Sequence, residues 1–402
     1  MDPRSDHDAP DFSLIRGGPW YWLQLKLRLV SPTSLKVVMR AALFTLVAWV
    51  PLAILTAVAG TFYRIGDSTP FQIDGGVSFL TDIAVHVRFL VALPLLILVE
   101  GPLDRYTGAV VRHLRDSGTV GREQWNRLDQ AIRSTHRLRD SWIVATVLVV
   151  LAALGAWSRV TQVGPMVTGW IATPGAGSGQ IQPAALWLGW VATPLFITIL
   201  LRSLWRFILW TRFLFALART PLSLSPSHPD GMGGLGSLQL GQQPFATVFF
   251  AIGAMFSATV ANLVLHAGAQ ILDFKMLAVS LIAIAAVVYL APLLTFTPQM
   301  LICKRMGLLR YERLAGDYTR GFERKWMGPG EPPTEPLLGT SDIQSLADIG
   351  GAFARVENMR AAPFSAKTGL TPVLAVGLPL LPLALMVMPL SDLLALLMKA
   401  VM

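Results

Sequence analysis

Long apolar runs alternate with arginine-rich polar connections along this chain. Six runs, at 41–59, 142–157, 184–201, 244–265, 276–297 and 371–390, contain no Asp, Glu, Lys or Arg. A helix crossing a hydrocarbon core of about 30 Å needs roughly 20 such residues. Backbone groups in lipid must be satisfied within the segment, which selects helices. The pattern therefore predicts an all-α, polytopic transmembrane bundle. A seventh span is expected near 80–102, where the uncharged stretch between Arg88 and Glu100 is short, about 16 Å of helix.

Counting the helix near 80–102 as the second span, basic residues fall into alternate connections: Arg4 to Arg40 before the first span, Arg105 to Arg139 after the second, Arg202 to Arg219 after the fourth and Lys304 to Lys367 after the sixth. The other connections hold only Arg64, Arg88, Arg159, Lys275 and Lys399. The positive-inside rule then predicts about seven spans, with the N-terminus inside and the C-terminus outside. A re-entrant segment at 80–102 would break this alternation, so that helix is expected to cross. Crossing draws Asp82, His86 and Arg88 into the membrane at one end and Glu100 at the other.

The implied organisation is a cytoplasmic segment 1–40, spans one and two within 41–103, and a basic cytoplasmic helical hairpin 104–140 broken at Gly118. Spans three to six follow within 141–298, with a cytoplasmic glycine-rich loop at 220–242. A basic region 299–369 and a last span with an interfacial helix, 370–402, complete it. The first run is too long for a signal-peptide core and is read as an uncleaved span.

Composition agrees. Of 402 residues 53% are hydrophobic and 14% charged, with mean hydropathy +0.55, against about a quarter charged in soluble domains. The net charge of +9 reflects the basic connections. A single cysteine, Cys303, allows neither an intramolecular disulfide nor a cysteine metal cluster. There is no P-loop, H-E-x-x-H or nucleophile elbow, so no cofactor and no catalytic residue is expected. The histidines are scattered, and no internal repeat is evident in the sequence.

Three stretches are similar to a family of uncharacterised bacterial integral membrane proteins. They are Thr81-Asp-Ile-Ala-Val-His-Val-Arg88 with Leu93-Pro-Leu-Leu-Ile-Leu-Val-Glu100, His228-Pro-Asp-Gly-Met-Gly-Gly-Leu-Gly236, and Ser341-Asp-Ile-Gln-Ser-Leu-Ala-Asp348. The resemblance implies a bacterial inner-membrane location and assigns no activity.

Several features are candidates for chemistry. Asp82 and His86 lie four apart, on one helix face, and Asn262 and His266 repeat that spacing on the fifth span. Ionisable groups inside a membrane are costly and point by default to a solute pathway. With Arg88 and Glu100 they form the candidate ion path. The bland alternative has Arg88 snorkelling to the interface and pairing with Asp82 or Asp273. Gly231, Gly233 and Gly236 fit G-x-G-x-x-G but lack the strand and helix of a dinucleotide fold. With His228 and Asp230 they remain candidates for a backbone nest around an anion.

Tyr311, Leu314, Tyr318, Phe322 and Trp326 recur at helical spacing with arginines on the other faces, a surface suited to anionic lipid headgroups. No nucleic-acid motif accompanies them. Residues 329–336 read as a stiff proline-rich linker. Ser341 and Gln344 read as the capping box of a docking helix. Gly253, Ser257 and Ala261 form a small-residue face for close helix packing, more simply internal than between protomers. Ser391 is placed to cap the C-terminal helix.

Two function classes fit. One is a transporter or channel for a small solute or ion, consistent with Pro94, Pro194 and Pro292 inside spans. The other is a non-catalytic scaffold or sensor whose basic helices bind anionic lipid, a protein partner or a second copy.

Overall fold

A computed structural model describes residues 11–63, 77–163, 169–171, 182–328, 335–336 and 339–386, with backbone alone for 159–163. Arg64, most of the 329–336 linker and the Ser391 helix lie outside the described residues. The described chain is all-α. In order it forms α1 (Gly18–Lys26), α2 (Val37–Val58), α3 (Ile83–Asp116), α4 (Arg122–Arg139), α5 (Trp142–Val163), α6 (Pro183–Ala218), α7 (Leu238–Ala267), α8 (Ile271–Leu294), α9 (Thr297–Trp326), α10 (Ser341–Glu357) and α11 (Ala366–Leu385). Six of these, α2, α3, α6, α7, α8 and α11, are long and apolar enough to cross a membrane. The pair α4 and α5, bent by 45° where they meet, makes up to seven if it is counted as one span.

The helix predicted near 80–102 is far longer than its apolar core. It continues past Pro94 and Glu100 to Asp116, and Gly118 (φ 72°) then turns the chain toward α4. α3 and α6 share a device that the sequence reading passed over. Val91-Ala92-Leu93-Pro94-Leu95 recurs one hundred residues later as Val191-Ala192-Thr193-Pro194-Leu195. In each helix a π turn, Val87–Ala92 or Leu188–Ala192, lies just before the proline. Proline lacks an N–H and its ring crowds the carbonyl four residues back; widening the helix there relieves the crowding without ending it. The segments preceding α3 and α6 also meet, because Trp170 N–H donates to Val77 O at 3.0 Å. Gly169 (φ 147°) permits this, since a Cβ there would overlap Val77 O.

The small-residue face of α7 packs within the chain. A Cβ on Gly253 would lie 2.7 Å from Val376 O, so α11 approaches α7 backbone to backbone. Gly253→Ala is therefore expected to destabilise the fold by about 1–3 kcal/mol, read as a lower unfolding midpoint in micelles; an unchanged midpoint would contradict this packing. Tyr289 and Gln242 form a buried network at the centre. Gln242 Nε2 donates to Tyr289 O at 2.6 Å, and Trp210 Nε1 donates to Gln242 Oε1 at 2.9 Å.

The docking helix forms, but without the capping box. Thr340 is the cap residue, Ser341 is already helical, and Gln344 donates to Asp348 at 3.1 Å. The start of α10 is anchored instead on α9: Lys325 Nζ and Trp326 Nε1 donate to Asp342 Oδ2 at 2.8 and 3.1 Å, and Tyr318 Oη to Asp342 O at 3.1 Å. Tyr318 and Trp326 of the aromatic face read on α9 thus serve α10, while Tyr311 Oη donates to Ser227 Oγ at 2.9 Å, and α10 runs unbroken through Gly350 and Gly351.

Candidate functional site

Two polar clusters sit inside the bundle, one at the start of α3 and one around Glu100, midway along it. The first gathers around Asp82, which precedes the helix and caps it. Asp82 Oδ1 accepts from Val85 N–H at 3.1 Å and from Asn262 Nδ2 at 2.7 Å, and Oδ2 accepts from Trp170 Nε1 at 3.1 Å. Asn262 Oδ1 accepts in turn from Ile83 N–H at 3.0 Å. A buried carboxylate needs such donors to offset its lost hydration, and here three different segments supply them.

His86, four residues on, has other neighbours. Trp49 Nε1 donates to His86 Nδ1 at 3.0 Å, and Nε2 lies 3.2 Å from Leu80 O. An indole donates only, so Nδ1 presents its lone pair and Nε2 carries the hydrogen toward Leu80 O. The edge of Phe79 packs on the ring at 5.1 Å. His266 Nδ1 lies 3.2 Å from Asn262 O on an exposed face, and the Arg88 guanidinium lies 6.0 Å from the Phe89 ring. The structure therefore joins Asp82 directly to Asn262, with His266 against the Asn262 carbonyl, while the His86 ring bonds to Trp49 and Leu80.

The second cluster lies midway along α3, where its apolar core gives way to the arginine-rich part of the chain. Glu100 Oε2 accepts from Arg40 Nη1 at 2.6 Å and Oε1 from Arg206 Nη1 at 2.7 Å, which ties α2, α3 and α6 together. All three side chains are almost wholly buried, with residue exposures of 1% for Arg40, 2% for Glu100 and 5% for Arg206. Arg202, one turn before Arg206, stacks on Trp20 at 5.4 Å. Arg40 Nε is buried without a hydrogen-bond partner among the described residues. Three guanidinium groups thus surround one carboxylate. Desolvating charges costs several kcal/mol per ion unless the pairing is close and complete, so a surplus cation here is a chemical statement.

Sequence reasoning found Glu100, because it bounds a short apolar run. It counted Arg40, Arg202 and Arg206 among the charges of polar connections. Their signal was available: Arg202 and Arg206 lie four apart on one face of a helix that continues to Ala218.

The glycine-rich loop at 228–236 does form a nest of backbone N–H groups, and its anion is the chain's own. Asp230 accepts from Met232 N–H at 2.7 Å, Gly234 N–H at 3.1 Å and Gly236 N–H at 2.9 Å, and His228 Nδ1 lies 2.8 Å from Oδ1. Positive φ at Gly231, Gly233 and Gly234 makes the curl possible. Among the described residues no three His, Cys, Asp or Glu side chains converge as metal ligands. Burial alone would raise the Asp230 carboxyl, but the N–H donors of Met232, Gly236 and Gly234 and the His228 ring outweigh it and hold the group below its ordinary 3.8.

A lowered folded-state value means that this contribution is complete above the unfolded value and is lost as pH falls through the folded one. Amide exchange at Gly234 and Gly236, referenced to an unstructured peptide, is therefore expected to show loss of protection only below about pH 4. Loss of protection near neutrality would contradict the nest.

No family model, curated protein or solved structure matches this chain.

Proposed function

We propose that this chain is a multi-pass protein of a bacterial inner membrane that moves a small ion or solute across it. The basic connections face the cytoplasm in this reading, with the N-terminus inside and the C-terminus outside. The observation that carries the reading is Glu100, held between arginines of two other spans. It lies on a helix interrupted by a π turn and a proline above it. Intramembrane charge and interrupted helices are the two features by which solute pathways are built into helical bundles. Breaking and remaking the Glu100 pairs gives α2, α3 and α6 a way to separate at the cytoplasmic end. The Asp82–Asn262–Trp170 bonds would hold the opposite end.

The test is flux in proteoliposomes with potassium, chloride, phosphate and protons as probes. The wild-type chain is expected to carry at least one of them faster than empty vesicles do. Glu100→Gln is expected to abolish that flux, while Glu100→Asp, which keeps the pairing charge, retains part of it. Wild-type vesicles no leakier than empty ones for every probe, or equal flux in well-folded Glu100→Gln, would overturn the proposal.

A separate observation favours the scaffold or sensor reading. α9 presents arginines to solvent, with Arg313 and Arg320 side chains 86% and 65% exposed, while Tyr318 and Trp326 of its aromatic face are taken by α10. Such a surface beside a membrane would attract anionic headgroups, at about 1 kcal/mol per basic residue, or an acidic protein partner. Salt-sensitive binding of the chain to phosphatidylglycerol vesicles with no flux of any probe is the outcome this reading expects.

A further inference from the structure

We infer that the cavity bounded by α1, the end of α4, the start of α5 and the 202–206 turn of α6 is a binding site for a phosphate-type oxyanion. Its walls include Gly18, Trp20, Arg139, Arg202, Trp205 and Arg206, and its volume is about 40 Å³. A buried water needs roughly 10–15 Å³ measured in this way, so the space exceeds a single water or halide and suits a compact group with several oxygens.

The wall chemistry is one-sided. The indole Nε1 atoms of Trp20 and Trp205 are both buried without an acceptor among the described residues. Arg202 contacts the Trp20 ring and has neither a carboxylate nor a carbonyl partner among the described residues. The carboxylates nearby are already engaged: Glu100 by Arg40 and Arg206, and Asp140 by both Nε and Nη2 of Arg139 at 2.7 and 2.9 Å. Four arginines therefore face two carboxylates, a surplus of two positive charges, and Arg202 is the arginine of the four that bonds to neither carboxylate. Buried donors without acceptors are costly, and a guanidinium beside two indole N–H groups is satisfied together by an anion with several oxygens. The first turn of α1 adds the positive end of a helix dipole at the cavity wall.

The level of the site suggests where the oxyanion comes from. α1 carries Trp20, Tyr21 and Trp22, with Trp22 59% exposed and Leu23 and Leu27 also open. Aromatic residues of this kind settle at the headgroup level of a bilayer. The same chemistry is presented there by the phosphate of an anionic phospholipid and by inorganic phosphate from solution. The site goes beyond the transport reading, because occupancy can be measured without flux.

The test uses the full chain in detergent micelles. In one arm inorganic phosphate is titrated in at ionic strength held constant with sodium chloride. In the other, phosphatidylglycerol is added in phosphate-free buffer, with phosphatidylcholine for comparison. The unfolding midpoint is expected to rise saturably in at least one arm: a response to inorganic phosphate identifies the free anion, and a response to lipid alone identifies a headgroup. Arg202→Met removes one of the two surplus charges while keeping the stem, and should weaken the midconcentration of the effect by about tenfold or more. The paired substitutions Trp20→Phe and Trp205→Phe, which delete only the N–H donors and part of each ring, should weaken it too and serve if Arg202→Met does not fold. No rise in either arm, or an equal rise in wild type and these variants, would overturn the site.

Discussion

Glu100→Ala is expected to cost about 3–5 kcal/mol of stability, because it strands the Arg40 and Arg206 guanidinium groups in a buried site with no counter-charge. The loss should appear as a collapse of the unfolding midpoint in micelles and as poor membrane yield. Converting all three positions together, Arg40→Met with Glu100→Met and Arg206→Met, should be far milder than the single change, since no ion is left unpaired. That inversion, one substitution worse than three, separates a buried ion cluster from ordinary packing. A Glu100→Ala midpoint within about 1 kcal/mol of wild type would mean that water reaches the pairs and that the cluster is not buried.

The next largest effect is expected at Asp82. Alanine there removes the acceptor for Trp170 Nε1, Asn262 Nδ2 and Val85 N–H at once. Each stranded donor costs about 1–3 kcal/mol, so Asp82→Ala should lose about 3 kcal/mol or more. Asp82→Asn should fall between, because an amide can accept from one neighbour but presents N–H groups toward another. The check is the unfolding midpoint together with the near-ultraviolet signal of the tryptophans. If Asp82→Asn is as stable as wild type, the carboxylate is not the acceptor that this geometry requires.

These two sites show what the sequence makes legible. A run of apolar residues reports a span wherever burial and lipid contact ask for the same residue type, which is why the helices at 41–59, 244–265 and 276–297 reappear as α2, α7 and α8. Glu100 was visible because it interrupts such a run. Its partners were not, because an arginine at a helix end looks the same whether it faces solvent or folds inward. Only the packing of α2 against α3 and α6 decides that for Arg40 and Arg206.

Matched spacings marked Asp82 and Asn262 as candidates, but their contact came only with the packing of α3 on α7, and the Trp170 donor comes from a connection with no periodicity to read. The glycine-rich loop illustrates a different limit. Composition revealed a backbone nest, but the occupant was its own Asp230, only one residue before the first glycine of the motif. At α10 a cap motif was outcompeted by tertiary contacts, since Asp342 gains more from Lys325 and Trp326 on α9 than a local turn offers. The π turns ahead of Pro94 and Pro194 were encoded in a five-residue echo too short to register as a repeat.

The central claim is that the arginine-rich ends of the spans, with the Glu100 cluster and the oxyanion cavity, share the cytoplasmic side of a crossing bundle. Cysteine labelling in intact cells tests this directly. On a Cys303→Ser background, Ser117→Cys sits in the exposed turn between α3 and α4, and Gln270→Cys in the exposed connection between α7 and α8. A membrane-impermeant maleimide is expected to modify position 270 in intact cells, and position 117 only after permeabilisation. Modification of position 117 from outside would place the arginines on the wrong face and contradict the account.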